Sequence, residues 1–241
     1  LMPEAVWRLY CELPAAVSTP WEAGAWRTRI TQVQHTHEPI GAWPTWVLSN
    51  HDMPRHRTRF GSEAAARAAA VLLLTQRGTP FLYAGEELGL EDAVIPAERR
   101  LDPGGRDGCR APLPWDESPQ HGWATADPWL PWPPTSNARN AAALQRDPDS
   151  ILHLYRRLLA LRRCTPALQQ GALELHDAPD DVLSYGRVDQ TTRYTVLINF
   201  AAAPHAVDAT GRILLASDQT QPAPWAGVLA PHQAVILATE R

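Results

Sequence analysis

The chain has no lysine: all 22 basic side chains among its 241 residues are arginine. Phenylalanine is scarce, at 3, whereas tryptophan reaches 10 and proline 23. With abundant alanine, this is the residue bias of a GC-rich genome, so the number of arginines carries little about function. No apolar run approaches the roughly 18 residues that a membrane span requires. The three cysteines, Cys11, Cys109 and Cys164, are odd in number, far apart and without metal-ligand spacing. That argues against a disulfide framework or a metal site, and for buried or incidental thiols in a reducing, cytoplasmic setting. A net charge of −4 and a pI near 6.1 argue against a nucleic-acid or anionic-membrane partner. The chain begins at Leu1 with no secretory signal after it, and its first recognisable elements read as the middle of a fold. The expectation is the back half of a larger architecture.

What is present reads as two patterns. Residues 13–17 suggest a short strand, and 21–33 have helical spacing through Trp26, Ile30 and Val33. A Pro/Gly/Trp turn leads into a strand over 45–48. Ser62 caps an Ala- and Leu-rich helix running to Gln76, Gly78 ends it, and 79–83 reads as the next strand. Strand, helix, strand with short joints predicts a βαβ unit and hence parallel strands. Residues 85–148 have no clean periodicity but carry Trp115, Trp123, Trp129 and Trp132, which favours an ordered binding loop. An amphipathic helix follows from about Ser150, with Ile151, Leu154, Tyr155, Leu158 and Leu161 on one face and Pro166 as its stop. After Gly171 the period changes to short β-type runs at 172–176, 182–188, 193–200, 212–216 and 234–238. These predict a separate antiparallel sandwich over 171–241, after a first unit over 1–170.

The chemistry collects at the ends of the two predicted parallel strands. The run Trp46-Val47-Leu48-Ser49 breaks into Asn50-His51-Asp52, and Arg55, Arg57 and Arg59 follow. In an α/β barrel, reacting groups stand at the carboxyl ends of strands. The bland alternative is a strand cap, with Asn50 and Asp52 bonding the turn. The second strand delivers Tyr83, Glu86 and Glu87 to the same rim, and the segment Arg106-Asp107-Gly108-Cys109-Arg110 adds two arginines and an aspartate. Planar polar side chains beside aromatic rings are what sugar hydroxyls and pyranose faces require.

Three segments in order, SNHDMPRHRTRFG, GTPFLYAGEELG and GRDGCRAPLPW, resemble the later signature regions of glycoside hydrolase family 13, in its α-glucosidase and oligo-1,6-glucosidase branch. The resemblance implies the C-terminal part of a (β/α)8 TIM barrel, about strands six to eight, followed by an antiparallel β-sandwich domain. It implies retaining hydrolysis of α-glucosidic bonds in short oligosaccharides, through a carboxylate nucleophile and a second carboxyl serving as acid and then base. Asp52 matches a third carboxylate that grips the sugar 2- and 3-hydroxyls, His51 its neighbour on the same hydroxyls, and Arg110 an arginine clamping the glucose. For Arg55, sugar contact and pairing with a rim carboxylate are equally open; Glu86 and Glu87 read as structural. No cofactor or metal is implied. The expected partners are an α-linked gluco-oligosaccharide and the N-terminal part of the barrel.

The patterns expected of the nucleophile and the acid are absent. No apolar strand carries Arg-x-Asp, and none ends in Glu; Asp102 and Asp107 lie in a loop, and Glu4 and Glu12 lack a flanking strand. The chain alone therefore reads as catalytically incomplete, with open β edges where further strands would pair. A homologue that only binds sugar or a protein, and a transglycosylase or isomerase of the same family, are the alternatives.

Overall fold

The computed structural model describes residues 18–125, 127–218 and 224–238. The strand expected over 13–17 and the side chains of Glu4, Cys11 and Glu12 lie outside the described residues. Helix α1 (Ala23–His37) buries Trp26, Ile30 and Val33 along one face, as their spacing predicts. It runs one turn beyond the apolar stripe before Gly41, at φ +63°, closes the turn that follows.

Strands β1 (Thr45–Val47) and β2 (Thr79–Phe81) pair in parallel, with Thr45 opposite Thr79 and Val47 opposite Phe81. They form a two-stranded sheet. Both are shorter than expected, because the chain leaves the ladder at Leu48 and Leu82. Between them lie helix α2 (His56–Phe60), which the sequence pattern did not indicate, and helix α3 (Glu63–Thr75). The Ser62 side chain accepts the Ala65 N–H at 3.1 Å and starts α3. Almost every residue of α3 from Ala65 onward is buried, so this helix is interior on all sides. Its alanines let neighbours approach closely. At Gly78, φ is +138° and a Cβ would sit 2.6 Å from the Pro44 carbonyl oxygen, so the turn into β2 admits only glycine.

Helices α4 (Ala141–Arg146), α5 (Ile151–Cys164) and α6 (Pro166–Gln169) complete the first part. Pro166 stops α5 as expected but also begins α6, where its missing N–H costs nothing. Five strands then form one antiparallel sheet: β3 (Ala172–His176), β4 (Val182–Val188), β5 (Arg193–Asn199), β7 (Arg212–Ala216) and β9 (Ala234–Ala238), in the order β3-β4-β5-β9-β7. Two short strands not foreseen, β6 (His205–Ala206) and β8 (Val228–Leu229), pair with each other.

The sheet is less separate than the sequence pattern indicates. One face buries Leu183, Tyr185, Val196, Ile198 and Ile236 in the same core as Trp26, the α3 leucines and Tyr155. The other buries Val182, Leu197, Val235 and Leu237 beneath Val207 and Leu229, which flank and form the β6–β8 pair. Period-2 alternation identifies two apolar faces but cannot say that helices cover one of them. Arg187 of β4 is fully buried at this junction and donates to the carbonyls of Thr75, at the end of α3, and of Gly171. Among the described residues no helix is long and apolar enough to cross a membrane.

Candidate active site

Because β1 and β2 are parallel, their carboxyl ends deliver two loops to one rim. The first is closed at its base. Ser49, buried where the strand ends, accepts the His56 backbone N–H at 2.9 Å and meets His56 Nδ1 at 3.0 Å. Within that loop Asn50 Oδ1 accepts the Asp52 N–H at 2.9 Å, and Asn50 bridges to Met53. Asn50 therefore shapes the turn, while the Asp52 side chain is left free to face outward. Arg59 pins the strand end from behind, donating to the Leu48 carbonyl at 2.6 Å.

Asp52 is the hub of an ionic cluster. Its Oδ1 accepts from Arg106 Nη1 at 2.7 Å and from Arg110 Nη2 at 3.2 Å, and its Oδ2 lies 3.3 Å from His51 Nε2. Arg110 Nε also donates to the His51 carbonyl at 2.7 Å, so one guanidinium grips both the backbone and the carboxylate. Asp102 holds Arg106 through both its oxygens, at 2.7 Å and 2.8 Å. The hydrogen bond from Arg106 draws the Asp52 pKa below its ordinary value, against a smaller opposing effect of burial. The same arginine takes Asp102 far below the carboxylate range. The Asp52 side chain is 47% exposed, so the charge is paired yet reachable by a ligand.

Three of the four expected residues thus converge: Asp52, His51 and Arg110. Arg55 does not join them. It is buried, its Nη1 donating to the Ala84 carbonyl at 2.8 Å and its guanidinium lying 4.7 Å from the centre of the Tyr83 ring. Its backbone N–H donates to Asp92. In this arrangement Arg55 ties the first loop to the second from beneath the rim. Tyr83 continues the tie, donating to the Cys109 carbonyl at 3.0 Å. Glu86 is buried 3.6 Å from His56, and Glu87 accepts the Gly85 N–H at 2.8 Å; burial raises the Glu87 pKa.

Two residues of the cluster, Asp102 and Arg106, were noted in the sequence only as parts of the loop and were given no role at Asp52. Their signal was modest: an acid and an arginine four apart across a Pro-Gly-Gly turn. Asp107 has a different task, its Oδ2 accepting the N–H groups of Leu101 and Asp102 at 2.7 Å and 2.9 Å and so setting the height of Asp102. Beside the cluster, Val47, Ser49, His51, Phe81 and Tyr83 help line a cleft of about 330 Å³ on the open face of the two strands. Phe81 is 54% exposed there. Among the described residues no group of three or more His, Cys, Asp or Glu could hold a metal ion.

Two parallel strands thus present an ion-paired aspartate, a histidine and an arginine at one rim. The chain belongs to the α-amylase family, glycoside hydrolase family 13: its residues 12–171 match the model of the α-amylase catalytic domain. It is 37% identical over 181 residues to a probable α-glucosidase of Rhizobium meliloti, an alignment covering 69% of this chain and 33% of that protein. With an oligo-1,6-glucosidase of Parageobacillus thermoglucosidasius the identity is 29%, over 76% of this chain and 38% of the relative. The trehalulose synthase MutB from Pseudomonas mesoacidophila superposes with a TM-score of 0.81 at 30% identity, over 90% of this chain and 46% of MutB. Variants of MutB have been solved with glucose and with its substrate sucrose. The chain therefore spans between a third and a half of the proteins it matches.

Proposed function

We propose that this chain supplies the strand-seven and strand-eight side of a retaining α-glucosidase site acting on short α-linked gluco-oligosaccharides. The convergence of Asp52, His51 and Arg110 at the carboxyl end of β1 carries the reading. In this reading the ionised Asp52 accepts the hydroxyls of the bound glucose and favours the positive charge that develops at its anomeric carbon. His51 bonds the same hydroxyls, and Arg110 clamps the ring while anchoring the loop. Arg106 holds Asp52 in its anionic state until the sugar arrives. Residues 1–170 then belong to the catalytic barrel and 171–241 to a C-terminal β domain that carries no chemistry.

The nucleophile and the acid/base are assigned to residues other than those described. Asp102 is engaged by Arg106 through both oxygens and held strongly acidic, so it can neither attack nor donate a proton. Glu87 has the raised pKa an acid needs, but its carboxylate accepts from its own loop's backbone. The likeness to MutB favours a second reading, in which the glucosyl group passes to a sugar acceptor instead of water. One experiment serves both. The full-length protein and its Asp52→Asn variant are assayed on p-nitrophenyl α-glucoside and on sucrose, with products resolved by chromatography. Turnover that falls by about 10²–10³ or more in Asp52→Asn supports the role of Asp52; near-normal turnover removes it. Glucose as product supports hydrolysis, and rearranged disaccharide supports transfer.

A further inference from the structure

At the root of the Asp52 loop lies a buried polar pair, His56 of α2 and Glu86 of the loop after β2. Each side chain is 1% exposed, and His56 Nδ1 lies 3.6 Å from Glu86 Oε1. Among the described residues neither Glu86 oxygen has a hydrogen-bond partner, nor has His56 Nε2. A carboxylate buried in this way is costly, and apolar side chains of similar volume would pack at least as well. What the pair adds is direction. Nδ1 stands between two oxygens, Glu86 Oε1 and, at 3.0 Å, Ser49 Oγ. The same Ser49 oxygen accepts the His56 backbone N–H at 2.9 Å, so the ring and the backbone of one residue converge on Ser49. The Glu86 charge also acts on the guanidinium of Arg59, which pins the Leu48 carbonyl one residue upstream.

We propose that His56, backed by Glu86, is a positioning residue for Asp52: through Ser49 it fixes the strand end from which the Asp52 loop rises. The proposal rests on the glucosidase reading of Asp52. Its transmission follows from the shape of the loop. Asn50 Oδ1 accepts the Asp52 N–H at 2.9 Å and Asn50 bridges to Met53, so residues 50–53 form a closed turn. Such a turn moves with its root, and its root is Ser49. On the outer side Arg110 holds the His51 carbonyl at 2.7 Å and Asp52 itself at 3.2 Å. The segment after β2 therefore holds Asp52 twice, through Arg110 at the surface and through the Glu86–His56–Ser49 chain in the interior. A carboxylate that must meet charge developing on one carbon tolerates little displacement, since an error of about 1 Å can cost on the order of 10² in rate.

The test is a double-mutant cycle in the full-length protein, read as kcat/KM on p-nitrophenyl α-glucoside. His56→Leu, Asp52→Asn and the double variant are compared with the wild type, each at a concentration of folded protein fixed by near-UV circular dichroism. His56→Leu is expected to lower kcat/KM by about tenfold to 10²-fold in the wild type. In Asp52→Asn, where no carboxylate is left to position, the same change is expected to cost much less. His56→Asn, whose amide can stand where Nδ1 stands, is expected to recover part of the loss. Glu86→Gln keeps the side-chain shape and removes its charge; it is expected to show the same dependence on Asp52, and it decides the matter if His56→Leu does not fold. Equal losses in both backgrounds, or no loss, overturn the positioning role and return the pair to packing, with the glucosidase reading intact. A wild type inactive on the glucoside overturns that reading, and the proposal with it.

Discussion

Replacing Arg187 tests how the helical part and the β-sheet are joined. The guanidinium is fully buried, has no carboxylate partner among the described residues, and donates to the Thr75 carbonyl and, at 2.9 Å, to that of Gly171; a third contact to Ala172 is long, at 3.4 Å. The Thr75 carbonyl belongs to the last turn of α3, where a cation is favoured. Two close charged hydrogen bonds contribute about 3–6 kcal/mol. Against this, burial drags the arginine from 12.5 to about 10, a penalty on the order of 3 kcal/mol that a neutral side chain does not incur. Arg187→Met should therefore cost about 0–3 kcal/mol, and a cost near the middle of that range is roughly 5 °C in Tm for a chain of this size. Arg187→Lys keeps the charge and loses the two-pronged geometry, so it should cost at least as much. Melts are followed together by near-UV circular dichroism, which reports the tryptophans, and far-UV circular dichroism, which reports the helices and the sheet together. A stabilising Arg187→Met would refute the reasoning and mark the buried guanidinium as a net cost, as buried charges can be. A far-UV melt that splits into two steps, only one of them shared with the near-UV signal, would show that the two parts unfold independently.

Two further predictions concern the loop and the helix beside it. Arg106→Gln removes the first cause of the lowered Asp52 pKa, so the carboxyl should titrate closer to its ordinary 3.8. The stabilisation that this pairing lends is present above that value and lost as pH falls through the lower folded one. The variant should therefore lose activity at a higher pH on the acid side and lack part of the wild-type acid-labile stability; superimposable acid limbs in kcat/KM would count against it. Ser62→Ala deletes the cap on the Ala65 N–H and should cost about 1 kcal/mol in a urea melt, with no change in the m-value.

The elements with a strong local cause were legible in sequence. Ser62, Gly78 and the Leu-rich run bracket α3 within a residue, because caps and apolar period act over a few positions. The five long strands of the sheet fall where alternation places them. Helix α2 was not legible, since His56–Phe60 has no apolar stripe; it forms because Ser49 captures its first residue from seven positions upstream. Arg55 shows the same limit. Its position after Asn50-His51-Asp52 suits a sugar contact as well as a rim pairing, and only the fold reveals the Tyr83 ring and the Ala84 carbonyl that occupy it. Arg106 lies 54 residues from Asp52, and the motif that carries it to the rim does not say which of its two arginines meets the carboxylate most closely.

On the proposed reading, the charges around Asp52 also limit which step of a glycosidase reaction it can serve. A proton donor to a leaving group needs a carboxyl kept neutral near working pH, which burial or a like charge would provide. Asp52 has the reverse environment: two guanidiniums on one oxygen, an imidazole beside the other, and access to water. It is therefore suited to standing charge and to accepting hydroxyls, and a sugar that bonds Oδ1 must share that oxygen with Arg106 or displace it. Displacement would leave Arg106 on Asp102, which already grips it through both oxygens, so the arginine has a resting partner in either state. On the proposed reading, ligand entry is thus an exchange of partners at Asp52 over a fixed Asp102–Arg106 pair, and Arg110, anchored to the His51 carbonyl, holds the loop in place throughout.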